Sequence, residues 1–146
     1  MSAGAAGPAP AGYSGTPLVR KLGIRPGSRV ALVGAPEDFE EAIEPLPEGA
    51  AVRRRLRGPQ DVILCFATSR SALVRALPRL RAAMSPACGL WVAWPKRASG
   101  VPTDLTENVI RDEGAAAGLV DNKVCAIDEV WSGLRLVIRL RDRPGG

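Results

Sequence analysis

Three near-continuous apolar segments dominate the hydrophobic pattern of the chain. They are Arg29–Gly34 (RVALVG), Asp61–Phe66 (DVILCF) and Leu90–Trp94 (LWVAW). A strand without an alternating polar face is typical of a parallel sheet that is covered on both sides. The pattern therefore predicts three buried parallel strands, and a shorter strand is predicted at 50–54.

Helical patterns alternate with these strands. An amphipathic helix is predicted over 70–84, where Pro78 should introduce a kink or a break. An acidic helix is predicted over 37–44, and a third helix over 105–117, where Asp104 and Glu107 have capping-box spacing. A short helix is predicted at 17–22.

Two terminal strands complete the predicted order, at Val120–Ile127 and Leu134–Leu140. The second alternates apolar residues with Arg135, Arg139 and Arg141, which is typical of an antiparallel or edge strand and leaves a homodimer through that edge open. The alternation of strands and helices predicts a three-layer α/β domain with a mostly parallel sheet of five to six strands and a C-terminal antiparallel hairpin. We expect it to span 13–141, between a disordered Ala/Gly/Pro tail at 1–12 and a frayed tail at 142–146.

Composition excludes several kinds of chemistry. The 146-residue chain has 20 basic and 15 acidic residues and no histidine, so a His-based triad, an imidazole base and a His zinc site are impossible. Three cysteines without a CxxC pair cannot form a four-cysteine metal site, and their odd number argues against a secreted disulfide framework. We expect a cytoplasmic protein with no metal and no membrane segment, whose only candidate reactive thiol is Cys88 in a predicted turn.

The motifs resemble known families. LGIRPGSRVALVGAP, DVILCF and MSPACGLWVAWPK resemble the Rossmann-like core of methyltransferases that depend on S-adenosylmethionine (SAM). As a set, the segments at 13–17, 94–96, 99–106 and 128–134 resemble a small bacterial family named domain of unknown function 3052. That resemblance covers residues 13 to about 140 and implies the same single Rossmann-like domain, but no activity.

The chain departs from the methyltransferase pattern where those enzymes bind their cofactor. Their glycine-rich turn is replaced by Gly34-Ala35-Pro36, and the acid that holds the ribose hydroxyls is replaced by an arginine cluster at 53–57. The segment 47–61 is also too short for the usual helix and third strand. The sequence therefore predicts a degenerate cofactor turn and no bound cofactor, SAM included.

The strongest candidate for ligand binding is the polar loop after the third buried strand. It offers the cation Lys96, the flexible pair Ser99 and Gly100, and a predicted helix start at Thr103 and Asp104, and it follows the carboxyl end of a strand, where open α/β sheets bind ligands. The alternative is that Asp104 only caps its helix. The connection between the last two strands adds Asp128, Glu129 and Trp131, which either form a recognition surface beside Lys96 or build a bulged hairpin.

Two charged clusters have structural alternatives as well. Arg53 and Arg55 are candidates for phosphate binding, since guanidinium groups bind oxyanions through two hydrogen bonds, or the arginines pair with the acidic helix. The acidic cluster, formed by Glu37, Asp38, Glu40 and Glu41, is either a metal or general-base cluster or a helix first turn that the helix dipole stabilises.

Three functions are compatible with these patterns. The first is a non-catalytic protein on a degenerate methyltransferase-like scaffold, with no catalytic residue, that binds a protein or a small molecule. The alternative is a divergent SAM-dependent methyltransferase. The third is a weak nucleic-acid or phosphate-ligand binder that uses the arginine cluster with Arg75 and Arg79; a nucleic-acid partner is disfavoured because no helix-turn-helix or aromatic platform accompanies the modest charge of +5.

Overall fold

The computed structural model describes residues 15–143, so the predicted tail at 1–12 and the last three residues lie outside the described residues. The strands are β1 (Arg29–Val33), β2 (Ala51–Arg53), β3 (Gln60–Phe66), β4 (Met84–Pro95), β5 (Leu119–Ala126) and β6 (Trp131–Ile138). The α-helices are α1 (Leu18–Lys21), α2 (Arg70–Ala82) and α3 (Glu107–Ala116). Short 3₁₀ helices lie at Phe39–Ile43, Arg97–Ser99 and Leu140–Asp142.

All six strands form one sheet in the order β2-β1-β3-β4-β6-β5. The first four strands run parallel to one another, and β6 is antiparallel to both β4 and β5. The predicted fold class, a mostly parallel sheet with a C-terminal antiparallel pair, is confirmed.

Each face of the sheet carries its own apolar core. On one face, which we name the α1 face, Leu22, Phe39 and Ile43 pack on the strands; on the other, the α2 face, Leu73 and Ile110 do so. Trp91 and Trp94 lie on opposite faces as predicted: Trp91 is fully buried on the α1 face and donates its indole N–H to the Leu22 carbonyl (3.0 Å), whereas Trp94 packs on the α2 face. Two covered faces explain the near-continuous apolar strands.

Two predictions around α2 and β4 need correction. Of the predicted kink or break at Pro78, the break does not occur: α2 runs unbroken over Arg70–Ala82, and Val74, whose carbonyl proline leaves without a helical partner, is exposed. The predicted turn at 84–89 is the first part of β4, which buries Cys88 completely. Burial raises the pKa of the Cys88 thiol to about 12, so the candidate reactive thiol is a core residue.

The strand predicted at 134–140 as antiparallel or edge is antiparallel, but it does not lie at the edge of the sheet. The segment 134–140 belongs mainly to β6, which is hydrogen-bonded on both sides, and the edge strand is β5. Arg135 does not mark a solvated strand face: its half-buried guanidinium lies over Gly89, where an added Cβ would be 2.9 Å from the guanidinium carbon. The edge proposed for a homodimer is therefore inside the sheet.

Two helix starts differ from the sequence prediction. The acidic segment forms only the 3₁₀ helix Phe39–Ile43, since prolines at 36, 45 and 47 confine it. Helix α3 begins at Glu107 with Thr106 as its N-cap, and the Thr106 hydroxyl accepts the Val109 N–H at 3.2 Å. Within 15–143, no helix is long and apolar enough to cross a membrane, and no group of three or more metal-ligating side chains comes together.

Candidate functional site

The strand order creates a crevice at the carboxyl ends of β1 and β3. From β1 the chain moves outward to the edge strand β2, whereas from β3 it moves the opposite way to β4. The segment after β1 packs on the α1 face and the helix after β3 packs on the α2 face, so the two connections diverge. Such a reversal of strand order is where open α/β sheets bind their ligands. We name this region the switch crevice, formed by residues 34–38 and 67–69.

The turn after β1 approaches the end of β3 closely. Gly34 has a φ of +68°, and a Cβ at this position would lie 2.9 Å from the Phe66 carbonyl oxygen. Both facts require glycine here, because a side chain would be strained by the backbone conformation and would press on a neighbouring strand. The glycine is therefore accounted for by packing within the protein, whether or not a ligand lies beside it.

Arg54 holds the rest of this turn in place. Its guanidinium donates hydrogen bonds to the carbonyls of Ala35 (3.0 Å), Pro36 (2.7 Å) and Glu37 (3.1 Å) and forms a bidentate ion pair with Glu40 at 2.8 Å. The hydrogen bond from Arg54 lowers the pKa of the Glu40 carboxyl to about 2. This pair matches the structural alternative for the arginine cluster, in which it binds the acidic segment.

Three polar side chains remain open in the switch crevice. Glu37, Asp38 and Thr68 are exposed, and their side chains make no hydrogen bond or ion pair with any residue of 15–143. On the α1 face, Phe39, Phe66 and Trp131 form an edge-to-face aromatic cluster with centroid distances of 5.0 and 5.1 Å. The crevice thus exposes two carboxylates and a hydroxyl, and the buried aromatic residues Phe39 and Phe66 adjoin its two segments in sequence.

The predicted ligand loop after β4 uses its polar side chains within the protein. The Ser99 hydroxyl donates to the Lys96 carbonyl (2.6 Å), and Gly100 follows with a φ of +77°. The Thr103 hydroxyl donates to the Thr68 carbonyl (2.6 Å), and the Asp104 carboxylate accepts the N–H of Arg70, the first residue of α2. Thr103 and Asp104 therefore fix the loop to the N-terminus of α2, and they do not begin their own helix.

The structure brings Lys96 beside the hairpin between β5 and β6. The Lys96 N–H donates to the Val130 carbonyl at 2.7 Å, and Asp128 accepts the N–H groups of Val130 and Trp131, which closes the turn. The Lys96 ammonium group and the exposed Glu129 carboxylate have no hydrogen-bonding or ionic partner among residues 15–143. Asp128 thus has a structural task, whereas Lys96 and Glu129 are open to a ligand.

The two phosphate candidates separate in the structure. Strand β2 ends at Arg53, whose side chain is exposed, and Arg55 lies in the following loop. Arg55 lines a cleft with Arg54 and with Arg79 of α2. Of the two helix arginines that were grouped with this cluster from the sequence, Arg79 lines the cleft and Arg75 does not.

Comparison with solved structures identifies the architecture. A SAM-dependent methyltransferase from Aquifex aeolicus matches with a TM-score of 0.62 and 14% identity, over 84% of this chain and 88% of that chain. The complex of DhpI with S-adenosylhomocysteine (SAH) matches with a TM-score of 0.61 and 10% identity, over 86% and 83%. The fold is that of SAM-dependent methyltransferases. Magnesium protoporphyrin IX methyltransferase from Synechocystis PCC 6803 with bound SAM also matches, with a TM-score of 0.55 and 9% identity, over 84% and 74%.

Sequence comparisons add no family. No family model matches the chain, so the resemblance to domain of unknown function 3052 is not confirmed. No curated protein matches the sequence. At these low identities the structural matches establish the fold alone.

The cofactor prediction needs correction. The sequence led us to expect no cofactor, yet the structurally similar proteins include methyltransferases that depend on SAM or contain SAM or SAH. These matches contradict the expectation that no cofactor binds. The error came from treating the lost glycines as decisive, although the fold retains the switch crevice.

Proposed function

We propose that this protein is a divergent SAM-dependent methyltransferase that binds its cofactor in the switch crevice. The observation that carries the proposal is the reversal of strand order at the parallel strands β1 and β3, because open α/β sheets bind their ligands beyond the carboxyl ends of the strands at such a point. The likeness to SAM-dependent methyltransferases supports SAM as the ligand.

The open side chains of the crevice fit the chemistry of SAM. Carboxylates accept hydrogen bonds from ribose hydroxyls and from an ammonium group, and Glu37 and Asp38 are the exposed carboxylates in the turn after β1. In this proposal they take the role of the acid that holds the ribose hydroxyls in methyltransferases, which the arginine cluster at 53–57 replaces here. Lys96 lies two strands from β1, about 10 Å at the usual strand spacing, and its ammonium group suits a carboxylate.

Bound SAM would supply an electrophilic methyl group on a sulfonium, which a nucleophilic acceptor attacks. The protein's contribution is then to orient the two reactants, since correct positioning alone supplies a large part of many enzymatic rate enhancements. The aromatic cluster of Phe39, Phe66 and Trp131 packs together the two buried phenylalanines that adjoin the two segments of the crevice. Arg54 holds the backbone of the turn after β1.

Binding of SAH and SAM to the purified protein tests the cofactor assignment. Isothermal titration should give a saturable heat, and ligand at 100 times its dissociation constant should raise the free energy of unfolding by about 2.7 kcal/mol. The Glu37→Gln/Asp38→Asn variant should bind SAH at least tenfold more weakly. The matched control, Glu44→Gln/Glu48→Gln, removes the same charge from exposed positions of the same segment and should bind normally.

Two results would contradict the proposal. If the folded protein binds neither SAM nor SAH at millimolar concentration, the cofactor assignment is wrong. If both variants weaken SAH binding equally, the cofactor does not bind in the switch crevice. Methyl transfer is tested separately with methyl-labelled SAM and a small-molecule extract. If SAM binds but no label moves to any acceptor and no SAH accumulates, the protein binds SAM without catalysis.

A further inference from the structure

A second cleft arises from the unusual connection between β2 and β3. These parallel strands lie on either side of β1, so residues 54–59 must cross β1, and they do so in six residues without a helix. Parallel strands are usually joined by a crossover of a dozen or more residues that contains a helix. Leu56 packs into the core on the α2 face, and the space between this loop and the last turn of α2 stays open.

This space, which we name the loop cleft, has a volume of about 670 Å³. Its lining residues are Val33, Arg54, Arg55, Leu56, Gly58, Pro59, Arg79, Ala82 and Ala83. The lining combines an apolar floor with three guanidinium groups and contains no carboxylate. Its volume lies within the range of small-molecule sites, about 300–1,000 Å³.

Two of the three guanidinium groups are not neutralised. Arg54 is paired with Glu40, whereas the side chains of Arg55 and Arg79 form no hydrogen bond or ion pair with any residue of 15–143. Burial raises the pKa of the Cys65 thiol, and the positive charge of Arg79 opposes that rise. Arg79 therefore lies close enough to the α2 face of the sheet, where Cys65 is buried, for its charge to be felt there.

The helix dipole explains only part of this cluster. A cation in the last turn of a helix is favourable, which accounts for Arg79 and Arg81 of α2. Arg55 belongs to no helix, so the dipole gives no reason for its place opposite Arg79. Two unpaired cations that line one cleft repel each other, and an anion bound between them removes that repulsion.

We propose that the loop cleft binds a phosphorylated small molecule with an apolar or aromatic body. Guanidinium groups match phosphate oxygens through paired hydrogen bonds, so Arg55 and Arg79 take the phosphate. The body of the ligand lies on the apolar floor formed by Val33, Leu56 and Ala82. Arg54 borders both this cleft and the switch crevice, but Arg55 and Arg79 belong to the cleft alone, and the proposal does not depend on the proposed methyltransferase activity.

The probe for the experiment is 1-naphthyl phosphate, compared with its two halves, 1-naphthol and inorganic phosphate. Isothermal titration at physiological salt should show that the probe binds at least tenfold more tightly than either half, because each half uses only one part of the cleft. A probe without adenine is chosen so that it does not resemble SAM. The titration is repeated with saturating SAH, which should change the affinity less than twofold.

Paired variants locate the binding. The Arg55→Gln/Arg79→Gln variant should bind the probe at least tenfold more weakly than the unsubstituted protein. The control Arg53→Gln/Arg75→Gln removes the same charge from the end of β2 and from the same helix, outside the cleft lining, and its affinity should stay within twofold of that of the unsubstituted protein. All four positions are exposed, so both variants should fold, which circular dichroism verifies.

Four outcomes would overturn the proposal: no binding of the probe, equal loss in both variants, competition with SAH, or binding of a single-stranded oligonucleotide without binding of the probe. Equal loss would mean diffuse attraction by net charge, competition would place the probe in the switch crevice, and the last outcome would favour a nucleic-acid surface. If SAH fails to bind while the probe behaves as expected, the proposed function falls and the loop cleft stands.

Discussion

Replacement of Gly34 by alanine tests whether the turn after β1 is built on the end of β3. An alanine would have to adopt a φ of +68°, which costs an L-residue about 1–2 kcal/mol. Its Cβ would also lie 2.9 Å from the Phe66 carbonyl oxygen, a backbone atom that moves only if the strand moves. Overpacking of this kind costs about 1–3 kcal/mol, so Gly34→Ala should lose about 2–5 kcal/mol of unfolding free energy.

Gly100→Ala is the matched control. Gly100 has a similar φ of +77°, and no heavy atom lies within 4 Å of the point that an added Cβ would occupy, so only the backbone cost of about 1–2 kcal/mol applies. Both substitutions restrict the unfolded chain equally, and this effect cancels in their difference. Urea unfolding followed by circular dichroism should place Gly34→Ala about 1–3 kcal/mol below Gly100→Ala, the cost of overpacking alone. Equal losses in the two variants would refute the close approach to Phe66.

Three further predictions concern the surroundings of the site. Because Arg54 lowers the pKa of Glu40 from 4.5 to about 2, the Glu40 carboxylate stabilises the fold above pH 4.5 and loses this contribution as the pH falls towards 2. When the free energy of unfolding is measured against pH in acid, Glu40→Gln should abolish that part of the pH dependence, and Glu44→Gln should not. A thiol reagent should label the native protein first at Cys125, which is only half-buried. The Cys125→Ser variant should remain nearly unlabelled at neutral pH while it is native, and its two remaining thiols should react once urea unfolds it. Thr103→Val should lose about 1–3 kcal/mol in thermal or urea unfolding, since it removes a hydroxyl that makes two hydrogen bonds, and Thr103→Ser should recover most of the loss. An unchanged stability of the valine variant would contradict the anchoring of the loop to the segment before α2.

The fold class could be predicted because burial on both faces leaves a clear trace in the sequence. Val30, Leu32, Ile63 and Leu64 show it in β1 and β3, where polar residues are nearly absent. The edge of the sheet could not be predicted in the same way. Arg135 contributes to the alternating pattern that suggested an edge strand at 134–140. Its guanidinium is nevertheless packed over Gly89, in a space that is open only because a glycine has no side chain. Alternation along one strand reports the chemistry of its faces and says nothing of its hydrogen-bonded neighbours.

The candidate site was harder to predict, because it depends on the order of the strands. The sequence predicted a ligand loop after β4, whereas the reversal of strand order lies between β1 and β3. From the sequence, Glu37 and Asp38 were interpreted only as part of an acidic cluster. Spacing along the chain does not reveal that these residues and Thr68 follow adjacent strands, since β1 and β3 are separated by β2 and two loops.

The three-residue length of β2 has a consequence for how copies of this protein meet at high concentration. Strand β2 pairs only with Arg29, Val30 and Ala31 of β1, so the border that it forms is three residues long. An incoming strand from another molecule finds few backbone groups to pair with along so short a border, which disfavours extension of the sheet there. At the opposite border, a bulge between Asp121 and Lys123 distorts the hydrogen-bonded ladder, and Lys123 places a charge there. Both features disfavour pairing with a strand of another molecule.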